Sequence, residues 1–207
     1  QIEARLLISS GAQPSGEPEY GGGLYELTIT EDKWNYRKIL SGCCHSIIRL
    51  DCSYYTVDDE LGIVELDNEY NIVRNQPLPT KSRGHGLAFH HLRKEFFVAC
   101  SLLDAVLVYD INLSHIDTIP LSIKQGREGG PFHHTNDCIV VGDSLYVSMF
   151  SETGNWKRDI YDGAVVEIDV ESGEKVGTPI RDLWMPHNVM FIDGCLTVLD
   201  SLRGGLR

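Results

Sequence analysis

Apolar and polar residues alternate along this chain in short runs, each broken by Gly, Asp, Asn or Ser, and four of the runs repeat one another. Residues 22–28 read Gly-Gly-Leu-Tyr-Glu-Leu-Thr and residues 61–67 read Leu-Gly-Ile-Val-Glu-Leu-Asp. Residues 104–110 are Asp-Ala-Val-Leu-Val-Tyr-Asp, and 162–169 are Asp-Gly-Ala-Val-Val-Glu-Ile-Asp. Each starts small, passes through β-favouring side chains and ends on a turn former, which predicts a strand. Gly204-Gly205-Leu206 begins a fifth. A further strand-like run precedes each one (5–9, 53–57, 95–100, 144–150, 195–199), and upstream of the last four lies another (45–50, 85–89, 134–141, 187–192). A closing strand follows at 72–77, 116–121 and 175–180. No amphipathic helical period of useful length separates them.

Four antiparallel strands recurring about every 40 to 45 residues describe a propeller blade, which buries both faces only against neighbouring blades. The expectation is an all-β β-propeller of four-stranded blades, one domain over residues 1–207, with blades near 1–40, 43–79, 84–122 and 133–181 and a partial one at 185–207. A β-sandwich accounts for short strands but not for the four-strand unit. The first unit lacks its innermost strand and the last stops as its third begins. The reading is therefore at least five blades, with a closing part expected beyond Arg207.

The 207 residues are 42% hydrophobic and 23% charged, an ordinary globular balance. The net charge of −12 without a basic stripe argues against nucleic acid. No apolar run reaches the roughly 20 residues of a membrane helix, and the start does not read as a signal peptide. None of the six cysteines forms a CxxC pair, so reduced thiols and a cytoplasmic location are expected.

Counting back from the third strands, the innermost strand of each blade opens on a histidine: His45, His85, His134 and His187. Equivalent positions converge on a propeller axis, where neutral imidazoles suit a divalent transition metal such as Zn, Fe or Cu. Ca is less suited, since it wants oxygen ligands such as Asn136, Asp137 and Asn188. The competing expectation is that these histidines only cap strands. His90, His91, His115 and His133 read as surface or turn residues.

The long connections 11–20, 122–132 and 151–161 fall on the same face as those histidines and bring Arg127, Trp156, Lys157 and Arg158 toward them. An indole beside cations makes a pocket wall for a carboxylate or phosphate. The expected machinery is thus His85, His134, Asp137 and Arg158 as catalytic residues, with Trp156, Arg127, Lys157 and Asn188 binding substrate. The metal ligands would be His45, His85, His134 and His187. That set points to a metal-dependent lyase or hydrolase acting on a small polar or anionic molecule. The alternative is a non-catalytic binding module for a protein or glycan partner, with structural histidines.

The segments His134-Thr135-Asn136-Asp137, Tyr146-Val147-Ser148, Gly154-Asn155-Trp156-Lys157-Arg158, Met185-Pro186-His187 and Leu199-Asp200-Ser201 resemble the bacterial DUF4915 family, a group of conserved hypothetical propeller-like proteins. The similarity is best over residues 133–207 and departs from the family at Asn188 and Thr197. It implies the propeller fold and no particular reaction.

Overall fold

The computed structural model describes residues 4–14, 20–122, 124 and 130–207, with residues 13 and 14 described by their backbone. The described chain is strand throughout apart from one 3-10 turn, and it forms the five blades of an all-β propeller. It divides into two compact units, Gln1–Leu78 and Pro79–Arg207.

The first unit holds two blades. β1 (Ala4–Pro14), β2 (Gly21–Ile29) and β3 (Trp34–Ser41) make a three-stranded antiparallel sheet. β4 (Cys44–Leu50), β5 (Ser53–Asp58), β6 (Gly62–Leu66) and β7 (Ile72–Gln76) make a four-stranded one. Alternation along the strands sends Leu24, Cys44, Val64 and Leu66 into a shared core, with Ile39, Leu40, Ile47 and Tyr54 packed around it.

The second unit holds the other three. Its first sheet is β8 (Gly84–His90), β9 (Glu95–Cys100), β10 (Ala105–Asp110) and β11 (His115–Pro120). Its second is β12 (Thr135–Val141), β13 (Ser144–Met149), β14 (Gly163–Asp169) and β15 (Lys175–Leu183), with the 3-10 turn Trp156–Arg158 between β13 and β14. Its third is β16 (Pro186–Ile192), β17 (Cys195–Asp200) and the two-residue β18 (Gly205–Leu206). Phe97, Val106, Val108 and Ile119 of the first sheet close against Leu145, Val147, Val166 and Ile168 of the second. Val165 and Leu183 in turn meet Val189 and Val198 of the third. Each such side chain withdrawn from water contributes about 1.5–3 kcal/mol, so the sheet-to-sheet cores dominate the stability.

Two polar devices recur. The glutamate inside the repeated third-strand pattern is held by an arginine of the next strand, Arg37 Nε donating to Glu26 at 2.6 Å and Arg74 Nε to Glu65 at 2.5 Å. The Arg37 hydrogen bond leads in keeping the Glu26 carboxyl below its ordinary range. A buried aspartate at the end of the second strand, or just before the third, also fastens the entry to an inner strand, its own in two cases and that of the following sheet in the third. Asp58 accepts Cys43 N–H at 2.9 Å, Asp104 accepts His133 N–H at 3.1 Å and Asp200 accepts Trp184 N–H at 2.7 Å.

The inner strands β4, β8, β12 and β16 share an irregularity that the sequence does not announce. Their pairing with the second strand slips between His45 and Ile47, Gly84 and Gly86, Thr135 and Cys138, and His187 and Met190. Ser46 and Asn188 take positive φ values of 52° and 50° at these bulges, and His134, just ahead of β12, takes 51°. A bulge leaves a residue out of the ladder and re-aims its side chain; in β8 that residue is His85 itself, and in β4 and β16 the bulge directly follows the paired His45 and His187.

Candidate functional site

In the second unit, β8, β12 and β16 run side by side. Gly86 lies so close to β12 that an added Cβ would fall 2.8 Å from the Asp137 Cα and 2.7 Å from Cys138 N. Asp137 ties β12 to β16, its Oδ2 accepting Val189 N–H at 3.0 Å while Oδ1 accepts Cys138 N–H at 2.9 Å.

At the leading ends of these strands the rings of His85 and His134 lie 5.7 Å apart, edge to face, and Asn136 Nδ2 is 3.4 Å from His85 Nδ1. His134 stacks on Phe150 at 4.2 Å, and Phe150 also touches His187 at 5.2 Å. The Trp156 indole lies 4.8 Å from His134. His187 Nδ1 sits 2.8 Å from both the Met185 carbonyl and Ser201 Oγ, an arrangement that caps its strand. Phe150 therefore occupies the space where His134 and His187 were expected to meet a common ion. Among the described residues of this unit, no three His, Cys, Asp or Glu ligand atoms converge.

Electrostatics separate these groups. Burial, assisted by the nearby charge of Arg83, pulls the His134 pKa down to about 4, so its imidazole is neutral near pH 7. Burial also lowers His187. Asp137 keeps partial solvent access but is crowded by protein, and burial raises its carboxyl to about 6 against the pull of its two backbone N–H bonds.

Beside Trp156 lies a cavity of about 310 Å³ lined by Lys124, Pro131, Phe132, Gly154, Asn155, Lys157 and Arg158. Trp156 Nε1 donates to the Pro131 carbonyl at 3.1 Å, and Lys157 Nζ donates to Gly130 O at 2.7 Å. The 3-10 turn presents Trp156 toward the histidines while Lys157 and Arg158 line the cavity. Asn188 is exposed on its bulge. Arg127 lies outside the described residues. His133 and His90 are buried, not surface residues. His133 bridges the Ser151 carbonyl at 2.9 Å and Ser122 Oγ at 3.0 Å, and so fastens the loops that build the cavity.

In the first unit His45 has different neighbours. Its Nε2 lies 3.5 Å from Cys43 Sγ, and Cys43, His45 and Asp59 bring ligand atoms within 4.8 Å of one another. Cys43 Sγ also donates to the Gly11 carbonyl at 3.0 Å. A Cβ on Gly11 would fall 2.1 Å from His45 Cε1, so the imidazole lies where only a glycine leaves room. The sequence reading missed Cys43 and Asp59. Their signal was the alternation that puts residues 43 and 45 on one face, and the placing of the β5–β6 turn on the histidine side.

None of the six cysteines forms a disulfide. No described helix is long and apolar enough to cross a membrane.

No family model matches the chain, and neither does any curated protein. Among solved structures, a chain of a nidogen/laminin complex is similar at a TM-score of 0.62 and 15% identity, over 97% of this chain and 71% of that one. Virginiamycin B lyase from Staphylococcus aureus is similar at a TM-score of 0.58 and 12% identity, over 86% of this chain and 59% of its own. Regucalcin, a calcium-binding protein from Agrobacterium tumefaciens, gives 0.57 and 15% over 79% of this chain and 52% of its own. This chain thus spans a little over half the length of the last two proteins. At these identities the likeness shows the β-propeller fold alone.

Proposed function

We propose that this propeller is an enzyme of lyase or hydrolase type acting on a small anionic substrate, a carboxylate or a phosphate ester. One observation carries the reading: the cavity beside Trp156 is lined by three cations, Lys124, Lys157 and Arg158, and by no carboxylate among the described residues. In a chain of net charge −12 such a concentration of positive charge marks an anion's place. Arg158 offers paired donors that match carboxylate or phosphate oxygens, and the lysines add point charges.

Trp156 joins this cavity to the histidines, bonded to the cavity-lining Pro131 on one side and packed on His134 on the other. In this reading Lys157, Arg158 and Trp156 hold the substrate. His134 and His85 exchange a proton with it, and Asp137 holds together the strands β12 and β16 beside them. A lyase is among the propellers of similar fold, so the architecture is compatible with this reaction class.

The test is calorimetric titration of the full chain with pyrophosphate and with citrate. Saturable binding that weakens at least roughly tenfold in Lys157→Ala/Arg158→Ala, on the scale of one lost charged hydrogen bond, supports the reading. Equal affinity in wild type and double variant sinks it. A binding-module reading is favoured by the strand-capping bonds of His187 to Met185 and Ser201. Under it, no phosphate ester or carboxylate in a turnover screen is consumed faster by wild type than by His134→Gln.

A further inference from the structure

We infer that Cys43, His45 and Asp59 form a binding site for a divalent transition metal of the zinc type, with three protein ligands and a fourth position open to solvent. The observations behind it lie in the first unit and are independent of the anion cavity.

The convergence follows from strand geometry. Cys44 points into the blade core with Leu24 and Val64, so the flanking residues 43 and 45 share the opposite face. Cys44 is thereby removed from the chemistry, fully buried in that core and turned away from the other two residues. The turn after β5 is laced to this point by Cys43 N–H to Asp58 Oδ2 at 2.9 Å and Asp59 N–H to Cys43 O at 3.2 Å. Asp58 is committed to the turn, its Oδ1 accepting Glu60 and Leu61 N–H at 2.9 Å each. Its exposed neighbour Asp59 is the carboxylate that faces Cys43 and His45.

The spacing suits an ion. Tetrahedral zinc with Zn–S of about 2.3 Å and Zn–N of about 2.05 Å implies an S···N edge of about 3.6 Å. Cys43 Sγ and His45 Nε2 stand 3.5 Å apart. A thiolate and an imidazole select zinc-like ions over calcium or magnesium, which want oxygen alone. A metal-bound Cys43 is a thiolate, so binding sends its proton to solvent and weakens as the pH falls. Half-burial of His45 and exposure of Asp59 leave the last coordination position to water or a small ligand.

The test uses the full chain, freed of metal by chelation and carrying Cys52→Ser and Cys195→Ser to remove the exposed thiols. Co²⁺ is expected to bind at one equivalent, with a thiolate-to-metal charge-transfer band and intense four-coordinate visible bands, and to be displaced by Zn²⁺. Cys43→Ser should abolish the charge-transfer band, while Cys44→Ser leaves it intact. His45→Gln and Asp59→Asn should each weaken binding by roughly 100-fold or more, beyond what loss of an outer-shell partner costs. Asp59 is exposed, so Asp59→Asn stays informative even if Cys43→Ser does not fold. A weak six-coordinate spectrum, a band that survives in Cys43→Ser, or wild-type affinity in both His45→Gln and Asp59→Asn overturns the inference.

Discussion

His45 and His134 both open an inner strand beside a bulge, yet their surroundings differ. His45 rests on a glycine and faces a sulfur and a carboxylate. His134 is pressed between Phe150 and Trp156, with its pKa pulled to about 4. A histidine at the head of an inner strand thus faces donor atoms in one blade and is a packed, neutral ring in another. Neighbouring side chains decide which, so equivalence along the repeat does not by itself amount to a shared metal site.

The largest way to break this contrast is to remove the aromatic wall. Phe150 is 3% exposed and touches both His134 and His187. Phe150→Ala should cost about 3–5 kcal/mol in urea denaturation. Water entering the space should also raise the His134 pKa toward its ordinary value, as read by imidazole NMR.

A pH series comes next. His134 stays neutral in the folded protein down to about pH 4 but protonates near 6.5 when unfolded. Its contribution is therefore intact above 6.5 and lost as the pH falls toward 4. Asp137 works in the opposite sense, because its folded pKa of about 6 exceeds the ordinary 3.8. Stability from this group is greatest below 3.8 and is lost as the pH rises through 6. The two slopes nearly cancel in the wild type. Asp137→Asn should expose a rise of up to about 3 kcal/mol between pH 4 and 6.5, and His134→Phe a fall of similar size between pH 4 and 6. Denaturation curves that stay flat with pH in both variants would show that neither group is perturbed.

Smaller effects separate capping from ligation. His187→Ala should cost about 1–2 kcal/mol through the contacts to Met185 and Ser201 and leave cobalt binding unchanged. Gly11→Ala is the mildest in stability, about 0.5 kcal/mol in metal-free protein, because the half-buried His45 ring can swing outward. It should nevertheless cost most of the metal affinity. Unchanged cobalt binding in Gly11→Ala would mean that the glycine does not seat the ring.

The blades were legible because period-two alternation and the repeated third strand are carried by local sequence, as in Gly62-Ile63-Val64-Glu65-Leu66. The strand-opening histidines were legible for the same reason. Their partners were not. Phe150 is far from His134 in sequence, across the open end of the β12–β13 hairpin, and meets it only once the two strands have paired. Cys43 looked like a small hydrophobe and Asp59 like a solvated turn, since their meeting depends on Asp58 drawing the β5–β6 turn onto Cys43. His133 looked superficial because its partners Ser122 and Ser151 come from two separate loops. Positive φ values at Ser46 and Asn188 leave no local mark, as neither residue is a glycine.

The bulges on the inner strands have a consequence for how such a chain can change. The residue set outside the ladder carries no pairing duty, so its identity is uncoupled from the alignment of the strands on either side. The positions so released hold Ser46 in one blade, His85 in another and Asn188 in a third, three different side chains under one architecture. New chemistry can be introduced there blade by blade, without renegotiating the scaffold.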